Sequence, residues 1–149
     1  MSCFARCATR NVTEVLYLDT SALVKLVLFE VQSGALADWL DARAEMRWIT
    51  SALTDVEFPR AIIRAGQPAS LASVPAVLAR LDRFEIDDVV RSTAAAFQDP
   101  GLRTLDAIHL ATATVAASVA SLEAFVTYDS RLAKAAGALG MTTAAPGIR

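Results

Sequence analysis

The chain has 149 residues and a formal net charge of −2, from 16 acidic and 14 basic residues. That length suits one domain, and 54% apolar against 20% charged residues supplies a core and excludes a disordered polar chain. The near-neutral balance excludes a protein that holds nucleic acid through bulk positive charge, so any RNA or DNA contact must come from a local basic rim.

Met1 to Glu14 is polar and lacks the apolar stretch of a secretory signal. No apolar run reaches the ~18–20 residues of a membrane span, so a cytoplasmic protein without membrane contact is expected. Cys3 and Cys7 lie in this opening segment. With no His or further Cys nearby they complete no zinc site, and so apolar a chain needs no disulfide framework. Residues 1–14 are therefore expected to be a flexible N-terminal extension with reduced thiols, and residues 15–147 a single domain.

Val15-Leu16-Tyr17-Leu18 is a short apolar run that stops at Asp19-Thr20-Ser21, which reads as a buried strand followed by a capped helix through Ala22 to Leu28. Gly34 to Ala44 reads as a second helix, with Leu36, Trp39 and Leu40 on one face, and Arg47 to Thr50 as a second strand. Ser51 or Thr54 opens a helix that carries Glu57 towards Gly66, with Pro59 fitting only its first turn or a kink. A helix from Pro75 to Leu81, a weak strand at Phe84-Glu85-Ile86 and a helix from Asp88 to Phe97 follow. After the Asp99-Pro100-Gly101 turn, Thr104 opens the clearest helix, through Ala117. Ala124 to Thr127 is a strand, Arg131 to Leu139 a helix stopped by Gly140, and Met141 to Thr143 a last strand. Strands alternating with helices predict an α/β fold of three layers, α/β/α, around a mostly parallel sheet of about five strands.

Parallel sheets bind ligands at the carboxyl ends of their strands. Asp19 and Asp129 follow strands there, while Glu57 and Asp106 lie in the first turns of helices. Singly, each acid has a structural explanation: Asp19 and Asp129 suit helix N-caps, Thr54-x-x-Glu57 has capping-box spacing, and Asp106 would sit at the positive end of its helix. Together they point elsewhere. Two carboxylates about 4 Å apart repel by roughly 4 kcal/mol at an effective dielectric near 20, so three or four in one pocket require a cation. Oxygen ligands without Cys or His select Mg²⁺ or Mn²⁺ over zinc, and such a site activates water and stabilises charge on a phosphodiester.

These residues carry a resemblance. Leu16 to Leu26, with Asp19-Thr20-Ser21, resembles the opening motif of PIN-domain ribonucleases; Leu102 to Ala111 is similar to their third-acid helix, and Phe125 to Leu132 to their closing motif. Ser51 to Ala61 is similar to the second-acid segment, and the motifs stand in the family's order from Val15 to Gly147, most like the VapC toxins of prokaryotic toxin–antitoxin pairs. The resemblance implies a Mg²⁺-dependent endoribonuclease in which Mn²⁺ substitutes, inhibited by a VapB-type antitoxin and commonly a homodimer. By position it implies Asp19, Glu57, Asp106 and Asp129 as the catalytic acids, Asp19 and Asp106 as direct metal ligands, Glu57 on the metal or its water, and Asp129 at a second-metal or outer position. Ser21 would support the first acid, and a bend at Pro59 would move the Glu57 carboxylate.

His109 shares a helix side with Asp106, but its apolar neighbours favour a packed, hydrogen-bonded ring over a ligand or proton shuttle. Arg103 and Arg131, and more weakly Lys25, flank acid positions where they would meet RNA phosphates. Arg60 and Arg64 suit an acidic stretch of an antitoxin, and Trp39 and Trp48 suit the core or a partner interface rather than base stacking. A flavodoxin-like phospho-acceptor domain would need an acid pair after the first strand and a Lys after a late one, and a haloacid-dehalogenase-type phosphatase Asp-x-Asp; Ser21 stands in that second place. An inert PIN-like module that only binds RNA or a partner is the remaining alternative, against which the presence of all four acids counts.

Overall fold

Val15 to Leu18 is apolar at every position, so the strand it forms must be covered on both faces. In the computed structural model, which describes residues 13–149, β1 (Glu14–Leu18) is the centre of a five-stranded sheet ordered β3-β2-β1-β4-β5. β2 (Arg47–Ser51) and β3 (Leu81–Phe84) lie on one side, and β4 (Ser121–Val126) and β5 (Thr143–Ala144) on the other. Every neighbouring pair is parallel.

The two-residue period of a strand sorts the side chains between faces. Leu16, Leu18, Trp48, Ala124 and Val126 enter one apolar cluster, with residues of α1 (Thr20–Lys25), α2 (Ser33–Asp41), α3 (Thr54–Arg64) and α4 (Val74–Leu78). Val15, Tyr17, Ile49 and Phe125 enter the other, with α6 (Thr104–Ala117) and α7 (Ser130–Ala138), while α5 (Asp88–Ala96) packs on α6. The expected three-layer α/β/α architecture is present, with a sheet parallel throughout. The chain walks outward from β1 to β3, then returns across the sheet to β4 and β5. The order therefore reverses between β1 and β4, the kind of switch point where an open parallel sheet leaves a crevice. A flavodoxin-like sheet would run 2-1-3-4-5, so the order disfavours the phospho-acceptor alternative.

Several elements depart from the sequence expectation. The third strand is Leu81–Phe84 instead of Phe84-Glu85-Ile86. It is an edge strand whose Asp82 and Arg83 face solvent, so only Leu81 is buried, opposite Trp48, and the apolar signal is diluted. The helix expected over Pro75 to Leu81 is α4, which ends at Leu78 because Leu81 already begins β3, and an unexpected 3₁₀ helix at Pro68–Ser73 precedes it. The first helix begins at Thr20, capped by Asp19 itself, and gives way to a turn after Lys25. The last strand is Thr143–Ala144, because Thr142 and Ala144 supply the carbonyls that Phe125 and Thr127 need. α3 runs unbroken through Pro59, beyond its first turn. The carbonyl that Pro59 leaves unbonded belongs to exposed Asp55, where water can take it.

Among the described residues no helix is long and apolar enough to cross a membrane. Cys3 and Cys7 lie outside the described residues. Phe58 is fully buried on the α3 face that turns inward, next to Glu57. Phe58→Ala should destabilise the protein by about 3–5 kcal/mol in urea unfolding; a loss below about 1 kcal/mol would contradict this packing of α3.

Candidate active site

The central strand ends where buried Leu18 meets Asp19, whose N–H still donates to the Val126 carbonyl at 3.2 Å. The Asp19 carboxylate caps α1. Its Oδ1 accepts from the Ala22 N–H at 3.0 Å and from Ser21 Oγ at 2.6 Å, and its Oδ2 accepts from Thr127 Oγ1 at 2.6 Å. The residue is 4% exposed. Burial pushes its carboxyl above the usual range, while His109 and the three donors act the other way.

Glu57 arrives from α3. The capping box suggested by Thr54-x-x-Glu57 does not form: Thr54 Oγ1 donates to the Ser51 carbonyl at 2.8 Å, and Leu53 at the N-cap makes no side-chain cap bond. Glu57 instead reaches across to two other elements. Its Oε1 accepts from Thr20 Oγ1 at 3.0 Å and lies 2.6 Å from His109 Nε2, while Oε2 has no hydrogen-bond partner among the described residues.

Asp106, in the first turn of α6, makes no side-chain hydrogen bond among the described residues. Loss of solvent, followed by the negative charge of Asp129 and a smaller effect of Glu57, raises its carboxyl; His109 and Arg103 oppose the shift. Asp129 caps α7, its Oδ1 accepting from the N–H groups of Arg131 at 2.9 Å and Leu132 at 3.1 Å. The four acids, from four places in the chain, line one cavity of about 360 Å³ at the switch point.

Ser21 sits where the sequence suggested, donating to Asp19 and accepting from the Tyr128 N–H at 2.8 Å. His109 is packed and hydrogen-bonded as expected, 3% exposed, but the partner of its Nε2 is a site acid and its Nδ1 lies 2.7 Å from the Tyr17 hydroxyl. Burial, then the Asp19 charge, raises the Tyr17 phenol well above its ordinary value, so it keeps its proton. Thr20, Thr127 and Tyr17 had no assigned role. Thr127 stands two residues before Asp129 and Thr20 directly after Asp19, so adjacency to the acids was the available signal; nothing in the local pattern marked Tyr17.

The rim is basic in part. Lys25 lines the cavity but pairs with Glu30 and lies 4.6 Å from the Tyr128 ring centre; burial pushes the Tyr128 phenol up to about 12. Arg64 lines the same cavity from α3, and Arg60 on that helix is exposed. Arg103 precedes α6 and is exposed, and Arg131, with Lys134 and Asp106, lines an adjoining cavity of about 290 Å³. Trp48 is buried in the core and Trp39 packs against it half-buried, each under an Arg side chain, and neither lines the cavity of the four acids.

Among the described residues no three Asp, Glu, His or Cys side chains form a ready ligand set for a metal ion. A closed zinc site is thereby disfavoured. A hard dication that keeps several waters and takes one or two carboxylates fits better. The acceptors left over among the described residues are suited to it: the whole Asp106 carboxylate, Glu57 Oε2, Asp129 Oδ2 and the second lone pair of Asp19 Oδ2, all at one cavity.

The sequence profile of the PIN domain matches residues 16–138. Ribonuclease VapC35 of Mycobacterium tuberculosis is 67% identical over 133 residues, covering 89% of this chain and 98% of that protein. Ribonuclease VapC47 of the same species is 39% identical over 135 residues, covering 89% and 98%. Ribonuclease VapC46 is 42% identical over 131 residues, covering 88% and 97%.

Because the carboxyls of Asp19 and Asp106 bind protons more tightly in the folded chain than in the unfolded one, stability falls as pH rises from the ordinary carboxylate range through their raised values. Without added metal, Asp106→Asn should therefore melt on the order of 1–3 °C higher than wild type at pH 7. The gain should vanish below about pH 3, where the acid is protonated in both states. A lower melting temperature for the variant at pH 7 would show that Asp106 does not carry this strain.

Proposed function

The chain belongs to the PIN-domain family, among its VapC ribonucleases, and on that premise we propose that it is an endoribonuclease toxin in which Asp19, Glu57, Asp106 and Asp129 hold Mg²⁺, or Mn²⁺ in its place, and cleave RNA. The observation that carries the reading is the convergence of these four carboxylates on one cavity, with Asp106 free of protein donors among the described residues. Bound there, a divalent ion acidifies water and offsets the charge that develops on the phosphodiester.

The residues divide the work. Asp19 and Asp106 are the direct ligands: Asp19 is held rigid by Ser21, Thr127 and Ala22 with acceptor capacity left on Oδ2, and Asp106 has both oxygens free of partners among the described residues. Glu57 uses Oε1 to stay in place and Oε2 to orient the attacking water and take its proton. Asp129 spends Oδ1 on α7 and offers Oδ2 to the outer side of the site. In-line attack leaves a 5′-phosphate on one fragment and a 3′-hydroxyl on the other. Arg103 and Arg131 meet flanking phosphates at the rim, supplying locally the positive charge that the whole chain lacks.

A VapB-type antitoxin fits the same surface. Arg64 lines the cavity and has no ion-pair partner among the described residues, so an acidic segment bound to it would lie where RNA must enter. A homodimer, which would cover exposed apolar side chains such as Val89 of α5 and Leu105 of α6, and a cytoplasmic location complete the reading.

Asp19→Asn and Asp106→Asn should each lower cleavage of RNA at least about 100-fold in Mg²⁺ or Mn²⁺ while the fold persists. Mn²⁺ at 100 times its Kd should stabilise wild type by about 2.7 kcal/mol in thermal unfolding, a gain lost in Asp106→Asn. Full activity in both variants would remove the reading. RNA binding with neither cleavage nor Mn²⁺ stabilisation in the wild type would favour the inert module.

A further inference from the structure

The Glu57 carboxylate ends a chain of polar groups that begins inside the core. Tyr17, fully buried in the central strand, stacks on Phe125 with ring centres 4.8 Å apart and planes at 11°. Its hydroxyl is 2.7 Å from His109 Nδ1, and the ring of His109 stands edge-on to it at 84°. On the far side of that ring, Nε2 meets Glu57 Oε1 at 2.6 Å. A carboxylate can only accept, so Nε2 carries a proton and donates it; Nδ1 accepts from the Tyr17 hydroxyl when the ring is neutral and donates to it when the ring is charged. No buried side-chain polar atom among the described residues lacks a partner, so the chain is satisfied from end to end.

We propose that Tyr17 and His109 are positioning residues for the reaction, clamping Glu57 by Oε1 so that Oε2 is presented to the cavity in one orientation. Packing alone does not explain them. A Phe and a Leu would fill the same volume without the cost of burying a phenol hydroxyl and an imidazole. Thr20 holds the same oxygen, but from a rotatable hydroxyl on a short side chain. A Glu side chain with several free torsions needs a second, rigid donor to keep one rotamer, and the imidazole is rigid because the stacked Tyr17 holds its other nitrogen. The proposal rests on the ribonuclease reading for what Glu57 does, and on the hydrogen bonds alone for how Glu57 is held.

The chain has one histidine, so tag-free protein labelled with ¹⁵N-histidine gives a single imidazole to observe by NMR, without RNA or metal. A protonated Nε2 in slow exchange is expected, with the Nδ1 resonance changed in Tyr17→Phe and the Nε2–H resonance changed in Glu57→Gln. In cleavage assays, Tyr17→Phe and His109→Leu should lower kcat about tenfold or more with KM for RNA unchanged, and should weaken Mn²⁺ binding in calorimetry. His109→Gln, which keeps a side-chain N–H donor, should recover part of the lost kcat. An unprotonated Nε2 in wild type would overturn the proposal, even if the variants failed to fold. So would wild-type kcat and Mn²⁺ affinity in folded Tyr17→Phe and His109→Leu while Asp19→Asn is inactive. Full activity in Asp19→Asn would instead overturn the ribonuclease reading and leave the wild-type spectrum to judge the clamp.

Discussion

Leu18 delivers Asp19 to a place where an ionised carboxylate is tolerable only if donors reach both of its oxygens. Those donors are supplied by the sheet. The parallel register pairs Leu18 with Val126, which sets Thr127 beside Asp19 across 108 residues of sequence. The first turn of α1 supplies the Ala22 N–H and the Ser21 hydroxyl. A slip of one residue between β1 and β4 would turn every side chain to the other face and leave the buried acid without Thr127. Strand register and the chemistry of the site are thus one constraint seen from two sides.

The same economy explains why the structural and functional readings of the acids do not compete. Asp19 and Asp129 are helix caps, and both also line the cavity. A carboxylate has two oxygens and several lone pairs, so a backbone N–H can hold one oxygen while acceptor capacity remains. Helix N-termini also carry partial positive charge, which lessens the cost of gathering acids in one cavity. Asp106 has no such hydrogen bond among the described residues; loss of solvent first, and the charge of Asp129 second, hold its carboxyl above the usual range.

Legibility varied with how local the cause of each feature is. α6 was readable over Thr104–Ala117 because helical spacing and an open run without Gly or Pro lie within one segment. β1, β2 and β4 were readable from their buried apolar stretches, Val15 to Leu18, Trp48-Ile49 and Ala124 to Val126, which are covered on both faces. β3 was misplaced because an edge strand is half in water, and its charged residues hide the period. The 3₁₀ helix at Pro68–Ser73 gave no signal distinct from a turn. Glu57 was identified as a candidate site acid from its place in a first helical turn beyond a strand, but its partners were not: the Thr54 spacing pointed to a local cap, whereas Thr20 and His109, 37 and 52 residues away, hold it.

What the amino-acid order determines by itself is the inventory and the periods: which runs must be buried, where helices begin, and that four acids fall just beyond strand ends or in first helical turns. Those follow from short-range sterics, side-chain alternation and the aversion of apolar surface to water. Which strands neighbour one another, and hence that the four acids share a cavity and that a tyrosine of the core reaches one of them through a histidine, is decided only when the sheet closes in the order β3-β2-β1-β4-β5. That order depends on packing free energy summed over the whole domain, and no window of sequence contains it.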